Sequence, residues 1–159
     1  MRTMTFTTPE LLPTVETAKH EMWESGREAF TIDVPLDAHV SDGAGGDDPL
    51  LTVRWRDAVV RVIAHREVGV MTARDYGAEM FGVVRAFEPT GGDFGGGYGE
   101  FAGESAPVMR GTTGDRALVA TCAAPGVNRL IVIGSSPTGD EASAAEVETV
   151  IASIALVSA

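Results

Sequence analysis

The sequence has few of the residues that cross-link a chain or hold a metal ion. Cys122 is its one cysteine, so an intrachain disulfide is impossible and the paired cysteines of a structural zinc site are missing. The three histidines, His20, His39 and His65, do not form an H-x-H or H-E-x-x-H motif. We therefore expect no metal site, no cofactor and a reducing, cytoplasmic environment.

Positive charge and long apolar runs are also scarce. The chain has 12 basic and 23 acidic residues, which give a formal net charge of -11. A surface of this sign repels nucleic-acid phosphates and anionic membranes. No apolar run approaches the about 18 residues of a membrane-spanning helix, and the first residues contain neither an apolar leader nor a lipid-attachment cysteine. The sequence therefore predicts no nucleic-acid partner and no membrane partner.

The apolar residues that are present suffice for one core. The chain has 159 residues, of which 44% are hydrophobic, and single domains usually contain about 100 to 200 residues. We expect a single domain over residues 28–159, preceded by a lead-in, residues 1–27, that is either helical or irregular. In this domain Phe30, Ile32 and Val34 alternate with polar residues before Pro35, which is typical of a half-buried strand.

The remaining pattern predicts a sheet with two helices. Residues 51–55 and 58–67 alternate around a two-residue turn and indicate a hairpin. A helix follows, with a cap at Thr72 and helical spacing up to Pro89. After it come three strands, over 106–111, 116–123 and 127–135. The last element is a helix capped by Thr138 or Asp140. The predicted class is α+β, a single mainly antiparallel sheet flanked by helices, in the order β-ββ-α-βββ-α. The residues expected in its core are Phe30, Ile32, Val34, Val53, Val60, Val62, Met80, Val84, Leu118, Ile131, Ile133, Val150 and Ile154.

With this order of elements the chain resembles the PsbP-like fold family. Residues 30–35, FTIDVP, are similar to the family's opening strand, and residues 151–154, IASI, are similar to its usual ending. The resemblance covers residues 28–157. The family includes an extrinsic photosystem subunit, an import factor that binds the GTPase Ran, envelope lipoproteins and chaperones for type VI secretion effectors. It implies a fold used mostly by adaptors, with no shared catalytic residue.

The Gly-rich segment between Gly91 and Gly103 carries the candidate binding residues. It contains seven glycines and is either a mobile loop or a Gly-rich strand. Its aromatic residues Phe94, Tyr98 and Phe101 offer a large contact area for a partner, and Trp55 beside the hairpin turn is a second anchor. The alternative is that these rings pack back onto the sheet, with Trp55 as a cross-strand neighbour.

Two classes of function remain open. The first is a non-catalytic adaptor or chaperone-like protein that binds another polypeptide, for which a second copy of the chain is one alternative. The second is a small-molecule-binding or enzymatic domain, with a pocket between sheet and helices where His65 and a carboxylate transfer a proton. We prefer the first, because the resemblance implies mostly adaptors, His65 is expected at a solvent-side position of its strand, and Cys122 lies among apolar residues and is expected to be buried.

Overall fold

The computed structural model describes residues 2–7, 28–42, 51–66, 71–87, 93–125 and 128–158. These residues form ten strands and two helices. The strands are β1 Arg2–Thr7, β2 Glu28–Val34, β3 His39–Asp42, β4 Leu51–Trp55, β5 Ala58–Arg66, β6 Asp93–Phe101, β7 Glu104–Thr113, β8 Arg116–Ala123, β9 Asn128–Pro137 and β10 Ala155–Ser158. The helices are α1 Ala73–Phe87 and α2 Glu141–Ala152. Neither helix is long and apolar enough to cross a membrane.

Seven of these strands form one antiparallel sheet, in the order β3-β4-β5-β9-β8-β7-β6. A smaller sheet has the order β1-β2-β10. The hairpin, the meander and both helices lie where the apolar pattern predicts them, so the predicted α+β class is confirmed. The caps are also as predicted, because Thr72 Oγ1 accepts a hydrogen bond from Asp75 N at 3.2 Å and Asp140 Oδ1 accepts one from Ser143 N at 3.0 Å.

The two helices lie on opposite faces of the large sheet and on opposite halves of it. Helix α2 packs on β5 and β9, and helix α1 packs on β7 and β8. Because successive side chains of a strand point to opposite faces, Leu130 and Val132 of β9 join the core beside α2, whereas Ile131 and Ile133 join the core beside α1. We call these two sides of the sheet the α2 face and the α1 face.

The core contains the residues that the sequence predicts. Strand β2 adds its apolar side to the cluster on the α2 face, and α1 contributes Tyr76, Met80 and Val84 to the other cluster. All thirteen expected core positions are buried. The period-two and helical patterns therefore identify the correct side of each element.

Three strands differ from the sequence prediction. Strand β1 lies in the lead-in, which we expected to be helical or irregular. Strand β3 lies in residues 37–49, whose acidic, Gly-rich sequence predicts a loop. Strand β10 follows the closing helix. Strands β1 and β10 both pair with β2. Strand β10 has four residues, too few to show a clear pattern. Strand β1 has six, in which Met4 and Phe6 alternate with threonines, a strand pattern that the sequence prediction did not use. The rest of the lead-in, including His20, lies outside the described residues.

Candidate functional site: the open face beside helix α2

The Gly-rich segment forms strand β6, which is one of the two alternatives that the sequence leaves open. All nine of its residues pair with β7, from Asp93 opposite Thr112 to Phe101 opposite Glu104. Strand β6 ends the order of the large sheet, and no strand of the described ranges pairs with its outer side. Alternate backbone N–H and C=O groups of β6 therefore point away from the sheet, as in any edge strand.

Three of the four glycines of β6 lie on the same face of the strand. Gly95, Gly97 and Gly99 lie on the α2 face, since they share the parity of Phe101, a member of the core cluster on that face. A Cβ atom at Gly95 or Gly97 meets no atom within 4 Å, and neither residue has a positive φ. Glycine in a strand costs about 0.5–1 kcal/mol relative to alanine. The contacts of the described chain do not explain why this cost is accepted.

On the same face, a groove lies between helix α2 and strands β7, β8 and β9. Its volume is about 350 Å³, and its lining includes Ala117, Val119, Gly134, Ala144 and Val147. A second hollow of about 180 Å³ lies beside it and is lined by residues that include Phe101, Val108, Thr121 and Ile151. We call the surface that runs from Gly95 and Gly97 across Val108 and Val119 to α2 the open face. Most of its side chains are apolar.

One ion pair crosses the open face. Arg110 of β7 donates a hydrogen bond from Nε to Glu148 Oε1 of α2 at 3.0 Å, and both residues line the groove and the adjacent hollow. The two side chains are 64% and 48% exposed. An ion pair with this exposure contributes about 0–1 kcal/mol, so a bound partner can displace it at little cost.

The four predicted binding residues lie in different environments. Tyr98 is 62% exposed, and its ring lies 4.9 Å from the Arg74 guanidinium carbon. Phe94 is half-buried against the α1 core. Phe101 and Trp55 are 3% and 2% exposed, so they belong to the core, as in the alternative interpretation of the rings. Of the four, Tyr98 is the one with a largely exposed side chain.

The indole of Trp55 fixes the hairpin to helix α2. Its Nε1 donates a hydrogen bond to Glu146 Oε2 at 2.8 Å, and Arg56 forms an ion pair with the same carboxylate. The hydrogen bond from Arg56, followed by that from Trp55, lowers the pKa of Glu146. Trp55 therefore has a structural role at the junction of β4 and α2.

The structure describes the side chains of two of the residues considered for catalysis, Cys122 and His39. Cys122 is fully buried, its Sγ donates to the Ala73 carbonyl oxygen at 3.3 Å, and burial raises the thiol pKa to about 12. His39 is exposed on β3. His65 pairs with Arg129 in the backbone register, but its side chain lies outside the described residues. In the described part of the chain, no group of three or more His, Cys, Asp or Glu residues is arranged to hold a metal ion.

One signal in the sequence points to the α2 face of β6, namely glycine at positions 95, 97 and 99. The prediction for the segment rests on its composition and its aromatic residues, which do not reveal that face. Because successive residues of a strand point to opposite faces, these three glycines leave one face of β6 without side chains between residues 95 and 99. The register with β7 then places that bare face beside Val108.

Comparisons with known proteins identify the fold. No family model and no curated protein matches the sequence. The solution structure of cyanobacterial PsbP (CyanoP) from Synechocystis sp. PCC 6803 is similar, with a TM-score of 0.59 and 16% sequence identity. The match covers 98% of this chain and 92% of that chain. A likeness at this identity establishes the arrangement of strands and helices, not the function.

Proposed function

The chain has a PsbP-like fold, and from this premise we propose that it is a non-catalytic adaptor or chaperone-like protein that binds another polypeptide. An extended segment of the partner adds to the outer edge of β6. The observation that carries this proposal is the pair Gly95 and Gly97, which are glycines on an exposed strand without a reason in the described contacts. Glycine in a strand often marks a place where another backbone approaches closely.

Strand addition uses the groups that β6 exposes. The outward N–H and C=O groups supply main-chain hydrogen bonds, and alternate side chains of the added strand supply specificity. On the α2 face these side chains pass over Gly95 and Gly97 and reach the apolar surface at Val108. On the α1 face they meet the ring of Tyr98, an amphipathic side chain that is frequent in protein interfaces.

The middle of β6 lacks common forms of edge protection. Natural edge strands are often blunted by charged residues, lysine above all, or by proline; the charged residues of β6, Asp93 and Glu100, lie towards its two ends. Between Gly95 and Gly99 the edge consists of glycines and Tyr98, which leave the backbone accessible. This accessibility supports a role in pairing with another chain.

Charge favours a foreign partner over a second copy of the chain. Glu100 and Glu104 are exposed at one end of the β6–β7 hairpin, and the whole chain carries a net charge of -11. Two copies repel each other, whereas a segment with basic residues is attracted. The proposed occupant is therefore an extended segment that alternates apolar and basic side chains.

The test uses a labelled peptide that alternates valine and lysine and matches the nine-residue length of β6. Gly97→Val should reduce the affinity of this peptide about tenfold or more, measured by fluorescence anisotropy. The fold should be retained, because a Cβ at Gly97 meets no atom and valine favours strands. Gly82→Ala is the matched control, since Gly82 also has open space but lies on α1.

Two further measurements separate this function from other modes of binding. A peptide with alternate N-methylated amides should bind weakly, and amide hydrogen exchange should slow in β6 when the unmodified peptide binds. Equal binding of the methylated peptide, or protection confined to another element, would contradict strand addition. Sedimentation of the free protein shows whether β6 pairs with a second copy instead.

The groove itself supports a second candidate function, the binding of a small apolar molecule. Its volume of about 350 Å³ lies within the range of about 300–1,000 Å³ that is usual for ligand pockets. Ala144→Phe should fill the groove from α2 and remove the binding of an apolar dye, while leaving the binding of peptide at the edge of β6 unchanged. A dye that binds wild type and Ala144→Phe equally does not occupy this groove.

A further inference from the structure

A second surface that the described residues leave uncovered lies on the α1 face, at the other end of the large sheet. Helix α1 packs on β7 and β8, and the residues beyond it surround a hollow of about 360 Å³. Its lining consists of Arg54, Arg56, Asp57, Val59, Arg61, Arg116 and Ser135. Four of the 12 basic residues of an acidic chain therefore surround one concavity. We call it the arginine hollow.

The strand register explains why these side chains meet. Val59 of β5 is opposite Arg54 on one side and Ser135 on the other, so the three residues form a row on the α1 face. Arg61 follows two positions after Val59 on the same face. Arg116 lies diagonally from Ser135 across β8 and β9. The nearly buried Val59 and Ser135 thus form a floor, with guanidinium groups around it.

The floor holds one of these guanidinium groups in place. Ser135 is 5% exposed, and its Oγ accepts a hydrogen bond from Arg116 Nη2 at 2.7 Å. Arg54 is exposed, and Arg56 is bound to Glu146 across the end of the hairpin. Asp57 is the one carboxylate in the lining of the hollow. Four guanidinium groups thus surround one carboxylate in the lining, while Arg56 is also paired with Glu146 from outside it, so an anion in the hollow would meet an excess of positive charge in the lining.

We propose that the arginine hollow binds the phosphoryl group of a soluble small molecule. The planar guanidinium group matches phosphate oxygens in a bidentate geometry, and the hollow is large enough for a phosphorylated metabolite. The net charge of -11 repels polyanions such as membranes and nucleic acids, whereas a small anion feels mainly the local arginines. The site is separate from the open face, which lies on the other side of the sheet.

The experiment measures inorganic pyrophosphate binding by calorimetry at constant ionic strength. Arg54→Gln should weaken binding about tenfold, and Arg116→Lys should weaken it as well, because lysine keeps the charge but loses the planar fork. Arg85→Gln is the matched control, since it removes the same charge from an exposed position on α1. Gly97→Val should leave pyrophosphate binding unchanged, which separates this site from strand addition at β6.

Equal affinities of wild type, Arg54→Gln and Arg116→Lys for pyrophosphate, or no binding by the wild type, would overturn the proposal. A second arm tests the lipid source of the same group, using vesicles of phosphatidylglycerol with phosphatidylcholine vesicles as the reference. Binding to the anionic vesicles that requires Arg54, without a response to pyrophosphate, would assign the hollow to a lipid headgroup and overturn a soluble ligand. Because Arg54 is exposed, its replacement is expected to leave the melting temperature unchanged.

Discussion

Two glycines, Gly134 and Gly97, lie on the same face of the same sheet and have different reasons to be there. Gly134 of β9 lies beneath α2, where a Cβ atom would lie 2.3 Å from Val147 Cγ1 and 2.9 Å from Ile151 Cδ1. Gly97 of β6 has open space at the same atom. The first glycine allows helix and sheet to approach closely. No contact among the described residues requires the second, which is why we propose that it serves a partner.

The same contrast extends to the two halves of the sheet. Each helix covers one half of one face, so among the described residues the α2 face is open over β6 to β8 and the α1 face is open at the hairpin end of β4 and β5. The open face is mostly apolar, whereas the arginine hollow is polar and cationic. One sheet with two diagonally placed helices thus presents two surfaces of opposite chemistry.

The largest expected effect separates the buried end of β6 from its exposed middle. Phe101→Ala should lower the free energy of unfolding by about 3–5 kcal/mol, because its ring lies in the core beneath the open face. Tyr98→Ala should change it by about 0.5 kcal/mol or less, since Tyr98 is exposed. Urea denaturation measures both. Equal losses would mean that Tyr98 is also a core residue.

The second prediction tests the two glycines directly. Gly134→Ala should destabilise the protein by about 1–3 kcal/mol, because the new methyl group forces α2 away from β9 or Val147 out of its rotamer. Gly97→Ala should be neutral or should stabilise it by up to about 1 kcal/mol, since alanine restricts the unfolded chain. The difference in melting temperature between the variants is the readout. A destabilising Gly97→Ala would show that the fold itself requires glycine there.

The core was predictable from the sequence because it depends on local periodicity. Alternation in residues 30–34 and 51–55, and helical spacing after Thr72, identify buried sides without knowledge of the partner strands. The short strand β10 was not predictable, because its stability comes from pairing with β2, which is more than a hundred residues away in sequence. The fold agrees with the resemblance to the PsbP-like family, which adds the global order that periodicity lacks.

The surfaces were less predictable, because they depend on register between strands. No local pattern indicates that Arg54, Arg61 and Arg116 surround the same floor, since three pairings across four strands bring them together. Similarly, the aromatic residues Phe101 and Tyr98 are close in sequence, but their opposite parity places one in the core and the other in solvent. The partner-binding role of the Gly-rich segment stays a prediction.

The third prediction concerns the buried thiol of Cys122 at alkaline pH. Burial raises the pKa of Cys122 to about 12, whereas an ordinary thiol has a pKa of about 8.5. Above that ordinary value the unfolded chain releases a proton that the folded chain keeps, so stability falls as pH rises towards about 12. Cys122→Ala should remove this part of the slope. A wild type and a variant with parallel pH profiles would place the thiol in contact with solvent.

The smallest expected effect lies at acidic pH, at the carboxylate that joins the hairpin to α2. The hydrogen bond from Arg56, and after it that from Trp55, lowers the pKa of Glu146. The resulting stabilisation is present above the ordinary glutamate pKa of about 4.3 and is lost as pH falls through the lower value of the folded state. Glu146→Gln should therefore be less stable than wild type near neutral pH and equal to it in acid. Because Arg56 and Glu146 are partly exposed, added salt should also reduce the difference.

The variant Glu146→Gln also tests whether the Arg56–Glu146 ion pair competes with anion binding in the arginine hollow. Arg56 is held by Glu146 and lines the hollow at the same time. Without the carboxylate, the Arg56 guanidinium is available to an anion, so Glu146→Gln should bind pyrophosphate more tightly than wild type. Glu148→Gln is the matched control, because it removes the same charge from α2 but pairs with Arg110 on the open face. If both variants show the same gain, the effect is one of net charge and Arg56 does not contribute to the hollow.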